Sequence, residues 1–134
     1  MSKPLRSFED LVGEVLVDIK KHTRYQYQDE LIFTLENGKK YVLAHDQQCC
    51  EDVYIEDIIG DLHDLIGLPI LMAEEVTSEE HPEDITTKQD DYFTWSFYKL
   101  ATKKGYVTIR WYGASNGNYS EIVNWEAVDW YTSY

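Results

Sequence analysis

At 134 residues, 43% apolar and 14% aromatic, the chain is long enough for one domain with its own core and is not a disordered polymer. Its 25 acidic against 12 basic residues give a formal charge of −13 with no basic stripe, which excludes ordinary binding to a nucleic-acid backbone. No apolar run approaches the roughly 20 residues of a membrane helix, and the N-terminus lacks the apolar core of a signal peptide.

A soluble protein is therefore expected. The two cysteines, Cys49 and Cys50, are adjacent and offer no ordinary disulfide framework, so a reducing cytoplasm is the simplest home. The acidity reads first as solubility and second as a nucleic-acid mimic or a ligand for a basic protein surface.

In chain order, Ser7 caps a short helix with Glu9 and Asp10 in its first turn, and Gly13 stops it. Val15, Val17 and Ile19 alternate with Glu14, Leu16 and Asp18 and predict a strand ending at Lys20-Lys21-His22. Leu31, Phe33 and Leu35 alternate up to Asn37-Gly38, and Tyr41, Leu43 and His45 alternate after it, which predicts a hairpin.

Next, Ile55, Ile58, Ile59, Leu62, Leu65 and Ile66 fall at helical spacing, with Glu56, Asp57, Asp61 and Asp64 on the other face. This predicts a helix over about 54–66, closed by Gly67 and Pro69 and weakened by Gly60. Ile70 to Val76 predicts a strand, and the polar stretch 77–91, without periodicity, is either mobile or a lid. Two aromatic strands around a Lys-Gly turn follow, and Val123, Trp125 and Ala127 share a face of a last one. The aromatic tail 129–134 reads as a docking surface for a second subunit. The expected fold class is α+β, an antiparallel sheet of about six or seven strands with one main helix on one face.

The richest stretch is 92–119. Strand alternation puts Val107, Ile109 and Trp111 on one face and Thr108, Arg110 and Tyr112 on the other, just before the loop Gly113-Ala114-Ser115-Asn116-Gly117-Asn118. The fork of Arg110 suits a phosphate or carboxylate. Tyr112 and Tyr119 suit stacking on a base, and Ser115, Asn116 and Asn118 suit hydrogen bonding to its edge. Trp95 and Tyr98 on the preceding strand complete the candidate ligand-binding set. The competing reading is a plain hairpin loop, with Arg110 paired to an acid such as Glu121.

His45, Cys49, Cys50 and Glu51 carry ligating atoms, but only His45-x₃-Cys49 approaches zinc spacing, so no metal is expected. Cys49 or Cys50 as a nucleophile beside His45 or His63 needs a proximity that sequence cannot supply. No nucleophile elbow, P-loop or GxGxxG occurs. The acids from Glu56 to Asp64 read as a solvated face. No enzyme and no cofactor is expected.

The strings His45-Asp46-Gln47, Cys49-Cys50-Glu51, Ile55-Glu56-Asp57-Ile58, Gly60-Asp61-Leu62, Pro69-Ile70, Ala73-Glu74-Glu75, Phe97 to Thr102, Thr108 to Gly113 and Ser115-Asn116-Gly117, with Trp95, resemble a family of small bacteriophage proteins carrying a domain of unknown function. The resemblance covers roughly residues 30–128 and implies the cytoplasm of an infected bacterial host. In size and architecture the chain is also similar to phage sponge proteins that oppose Thoeris-type immunity. Those hold cyclic ADP-ribose isomers or, for some, CBASS-type cyclic oligonucleotides between subunits without cleaving them. The resemblance implies a sponge for a nucleotide-derived signal, acting as a homo-oligomer, with no nucleic-acid polymer and no membrane as partner. The alternative is an acidic inhibitor that blocks a host defence protein.

Overall fold

The computed structural model describes residues 4–24, 28–86 and 88–128. Among the described residues eight strands form two four-stranded sheets in which every neighbouring pair is antiparallel. The first sheet has the order β1 (Leu16–Arg24), β2 (Gln28–Leu35), β3 (Lys40–Ala44), β8 (Asn124–Ala127). The second has the order β4 (Asp52–Ile59), β7 (Gly105–Ser115), β6 (Tyr92–Thr102), β5 (Met72–Ser78). The predicted Asn37-Gly38 hairpin joins β2 to β3, with Phe33 opposite Tyr41 and the N–H of Gly38 donating to the Leu35 carbonyl at 2.9 Å.

The inward faces of both sheets share one core. Ile19, Leu31, Phe33, Leu35 and Leu43 come from the first, and Val53, Ile55, Tyr98, Leu100, Val107, Ile109 and Trp111 from the second. Alternating strands with one apolar face have no other way to hide it, so the two sheets stack as a sandwich. A 3₁₀ turn, Phe8–Leu11, follows Ser7 as expected, and its Phe8 ring meets Phe33, Tyr98 and Trp125 edge-on.

The α+β expectation is overturned. Among the described residues the only helical elements are the 3₁₀ turns Phe8–Leu11 and Leu62–Leu65, and the stretch read as the main helix begins in strand β4 and ends in the second of these turns. The cause is a bulge. Val53 and Ile55 lie opposite Gly113 and Trp111, then the register gains one residue at Glu56, and Ile58 lies opposite Ile109. Two core-facing residues three apart, Ile55 and Ile58, imitate a helical repeat when one extra strand residue sits between them. Gly60, at φ 111°, ends the strand.

A second bulge, between Leu16 and Asp18, corrects the reading of β1. Leu16 and Ile19 point inward and Val17 is 52% exposed, so Val15, Val17 and Ile19 do not share one buried face. The aromatic tail 129–134 lies outside the described residues.

Candidate functional site

Arg110 sits mid-strand in β7 with its side chain on the outer face of the second sheet, opposite Phe97 of β6. The β4 bulge places the extra residue, Glu56, beside it. Arg110 Nη2 donates to both carboxylate oxygens of Glu56, at 2.7 and 2.9 Å. Asp84 closes the other side, accepting from Nη1 at 3.3 Å and Nη2 at 3.1 Å. The Glu121 pairing considered from sequence does not form; Glu121 instead accepts from Thr94 Oγ1 at 2.8 Å and from the Ser115 hydroxyl.

The Arg110 guanidinium lies 5.3 Å from the Trp95 ring centroid, and the residue as a whole is only 7% exposed. Its Nε is buried with no partner. The Glu56 hydrogen bond, outweighing burial, raises the guanidinium pKa, and Arg110 in turn lowers that of Asp84.

The segment after β5 runs along this outer face. Pro82 and Ile85 close a turn through Ile85 N–H to the Pro82 carbonyl at 3.0 Å, and Asp84 sits within it. His81, just before, stacks on Phe93 with centroids 3.9 Å apart and planes 8° apart. Trp95 Nε1–H donates to His81 Nδ1 at 3.1 Å, which makes Nδ1 the acceptor nitrogen of that ring. Further on, Lys88 Nζ donates to the Tyr54 hydroxyl at 2.5 Å and lies 4.7 Å from the Tyr112 centroid. The Tyr112 hydroxyl donates to Asp90 at 2.5 Å; burial, then the Asp90 contact, raises its pKa. Side chains of His81, Asp84, Lys88 and Asp90 thus lie on an aromatic, arginine-bearing face.

The predicted ligand set divides. Arg110, Trp95 and Tyr112 come together under this segment. Ser115 and Tyr119 line a separate groove of about 430 Å³ with Phe93, Tyr92 and Glu121, and Arg110 is not part of it. Asn116 and Asn118 are exposed in the turn, where Asn118 N–H donates to Asn116 Oδ1 at 2.9 Å and Gly117 N–H to Ser115 Oγ at 3.0 Å. The five steps from Arg110 to Ser115 span about 17 Å of strand, too far for one small contact. Tyr98 faces the core beside Leu100, on the opposite side of β6 from Trp95. Burial, then its contact with Glu75, raises its hydroxyl pKa.

Sequence reasoning missed Glu56, His81, Phe93, Asp84, Lys88 and Asp90 as occupants of this face. The available signals were faint: a break in β4 alternation at Glu56, and a His-Pro pair opening a turn in a polar stretch.

The other candidates are structural. His45 Nδ1 lies 2.6 Å from the Ile122 carbonyl and Nε2 lies 2.8 Å from Glu51 Oε2, so both ring nitrogens face oxygen atoms within the fold. Glu51 also accepts from the N–H of Gln48 and of Cys49, each at 2.9 Å. Burial opposes its charge, but the His45 bond and these backbone donors prevail and hold its carboxyl at about 2. Cys49 and Cys50 are bonded to each other. Among the described residues no cluster of three or more His, Cys, Asp or Glu side chains is placed to hold a metal ion. No helix among them is long and apolar enough to cross a membrane.

A family model described as a domain of unknown function, DUF7448, matches residues 9–125. No curated protein and no solved structure matches the chain.

Proposed function

The chain belongs to the DUF7448 family, and we propose that it is a binding module of bacteriophage origin that sequesters a nucleotide-derived immune signal without cleaving it. One observation carries the reading: a buried arginine, held over an indole ring, keeps an unpartnered Nε–H on a face rich in aromatic rings. An orphaned buried donor costs about 1–3 kcal/mol, which an acceptor on a ligand would relieve. Phosphate oxygens suit the guanidinium, and flat bases suit Phe93, Trp95 and Tyr112. The resemblance to phage proteins and sponges supports a signal of the cyclic ADP-ribose or cyclic-oligonucleotide class, acting on a homo-oligomer in the host cytoplasm.

The test is capture and release. The protein is mixed with a panel of cyclic ADP-ribose isomers and cyclic di- and trinucleotides, filtered, and heated, and both fractions are read by mass spectrometry. Intact ligand released by heat supports sequestration, and Arg110→Ala should lose at least tenfold in affinity while Arg110→Lys retains part of it. Conversion of the ligand sinks the non-enzymatic reading. A panel left wholly free moves the reading to a protein target, for which the charge of −13 suits a basic host surface.

A further inference from the structure

Two side chains of one short segment, His81 just before the Pro82–Ile85 turn and Asp84 within it, occupy the Arg110 face in the manner of two halves of a nucleotide. His81 supplies a flat nitrogen heterocycle, parallel to Phe93 at 3.9 Å, whose acceptor nitrogen takes the Trp95 indole N–H at 3.1 Å. Asp84 supplies an anion on the Arg110 fork. The His81 ring and the Arg110 guanidinium both lie against the same Trp95 ring, 6.1 and 5.3 Å from its centroid. We infer that the His81–Asp84 turn is a built-in stand-in for a purine nucleotide, which displaces it by offering the same two groups. The inference rests on the nucleotide-binding reading of this face and adds to it the class of base and the manner of entry.

The ring decides the class. A purine contains an imidazole whose N7 is an acceptor, so it can lie on Phe93 and take the Trp95 proton as His81 does. A pyrimidine has no imidazole edge to offer.

The anion decides the manner of entry. The Asp84 side chain is 63% exposed, and an exposed carboxylate on arginine is weakly held, so it is easily given up. Glu56 is the deeper partner, at 15% exposure, and keeps Nη2 anchored whichever anion sits outside. A phosphate arriving in place of Asp84 brings more oxygens than a carboxylate to the Nη1–Nη2 end of the fork. While the turn is docked, the site competes with its own chain, and the apparent affinity falls by the fraction of molecules in which the face is open.

The experiment uses the full chain, wild type and the double variant His81→Ala/Asp84→Asn, with folding checked by circular dichroism. Neither side chain belongs to the apolar core shared by the two sheets. AMP, CMP and pyrophosphate serve as probes in titration calorimetry, and hydrogen exchange of residues 79–86 is followed with and without AMP. The expected result is AMP binding to wild type, about tenfold tighter binding to the double variant, weaker binding of CMP to both, and faster exchange in 79–86 when AMP is bound. If AMP binds wild type and the double variant equally, or exchange in 79–86 does not change, the stand-in is refuted while the nucleotide site stands. Equal binding of AMP and CMP refutes the purine assignment. If no probe binds either form, the site reading and this inference fall together.

Discussion

Replacing Gly60 by alanine tests the close approach that turns the chain out of β4. At φ 111° an L-residue carries left-handed strain of about 1–2 kcal/mol. A Cβ there would also stand 2.6 Å from the Tyr106 carbonyl oxygen, 3.1 Å from Val107 Cγ2 and 3.2 Å from Val107 Cα. Two of these three atoms are backbone of the central strand β7, so relief requires moving a sheet rather than a rotamer. Overpacking of this kind costs a further 1–3 kcal/mol or so. The expected loss for Gly60→Ala is about 2–5 kcal/mol, against a total stability of roughly 7–20 kcal/mol for a chain of this size.

Gly38 provides an internal control. It has the same kind of backbone, φ 88°, but nothing within 4 Å of its would-be Cβ, so Gly38→Ala should lose only the strain, about 1–2 kcal/mol. Urea unfolding followed by circular dichroism gives both losses, and the difference between them isolates the steric part. Equal losses for the two variants would refute the argument that β7 backbone blocks residue 60.

The acid limb of stability should carry the mark of Glu51. Its folded pKa of about 2 lies below the ordinary 4.5, so the stabilisation is complete above about pH 4.5 and is lost as pH falls towards 2. Urea midpoints measured across that window should show wild type converging on Glu51→Gln; a constant gap would mean that the carboxylate is not the titrating cause. Trp111 buries an indole N–H with no partner, so Trp111→Phe should cost less than about 1.5 kcal/mol, whereas Trp111→Ala should cost about 3–5. A loss above 3 kcal/mol for the Phe variant would show that the nitrogen is engaged after all.

How much of this was legible in sequence depends on whether a feature repeats. The β2–β3 hairpin was readable because Asn37-Gly38 stands between two uninterrupted alternations. The facing of Val107, Ile109 and Trp111 against Arg110 and Tyr112 was readable for the same reason. Bulges break the repeat by a single residue, and both escaped: the one at Glu56 passed for a helix, and the one at Val17 placed the wrong residues inward. Tyr98 was grouped with Trp95 by type, although a three-residue separation on a strand puts the two on opposite faces.

The partners of Arg110 were illegible for a different reason. Asp84 and Glu56 are distant from it in sequence, and among 25 acids nothing local distinguishes the two that meet it. His81 and Asp84 belong to a stretch whose placement comes from the sheet beneath, not from any pattern of its own. The Ser115–Tyr119 loop was recognisable as a turn, but its distance from Arg110 follows from β7 continuing as a straight strand through Ser115.

The pairing of β3 with β8 bears on how the protein is made. Lys40–Ala44 leaves the ribosome early, while its outer neighbour, Asn124–Ala127, comes at the far end of the described chain. Until then the hairpin of β2 and β3 presents an open edge at Tyr41, Val42 and Leu43, all of them buried in the finished fold. During that interval a nascent chain can join edge to edge with another of its kind. Synthesis that halts between residues 116 and 123 would yield a product with its second sheet complete and its first still open, the form of this protein most prone to aggregate.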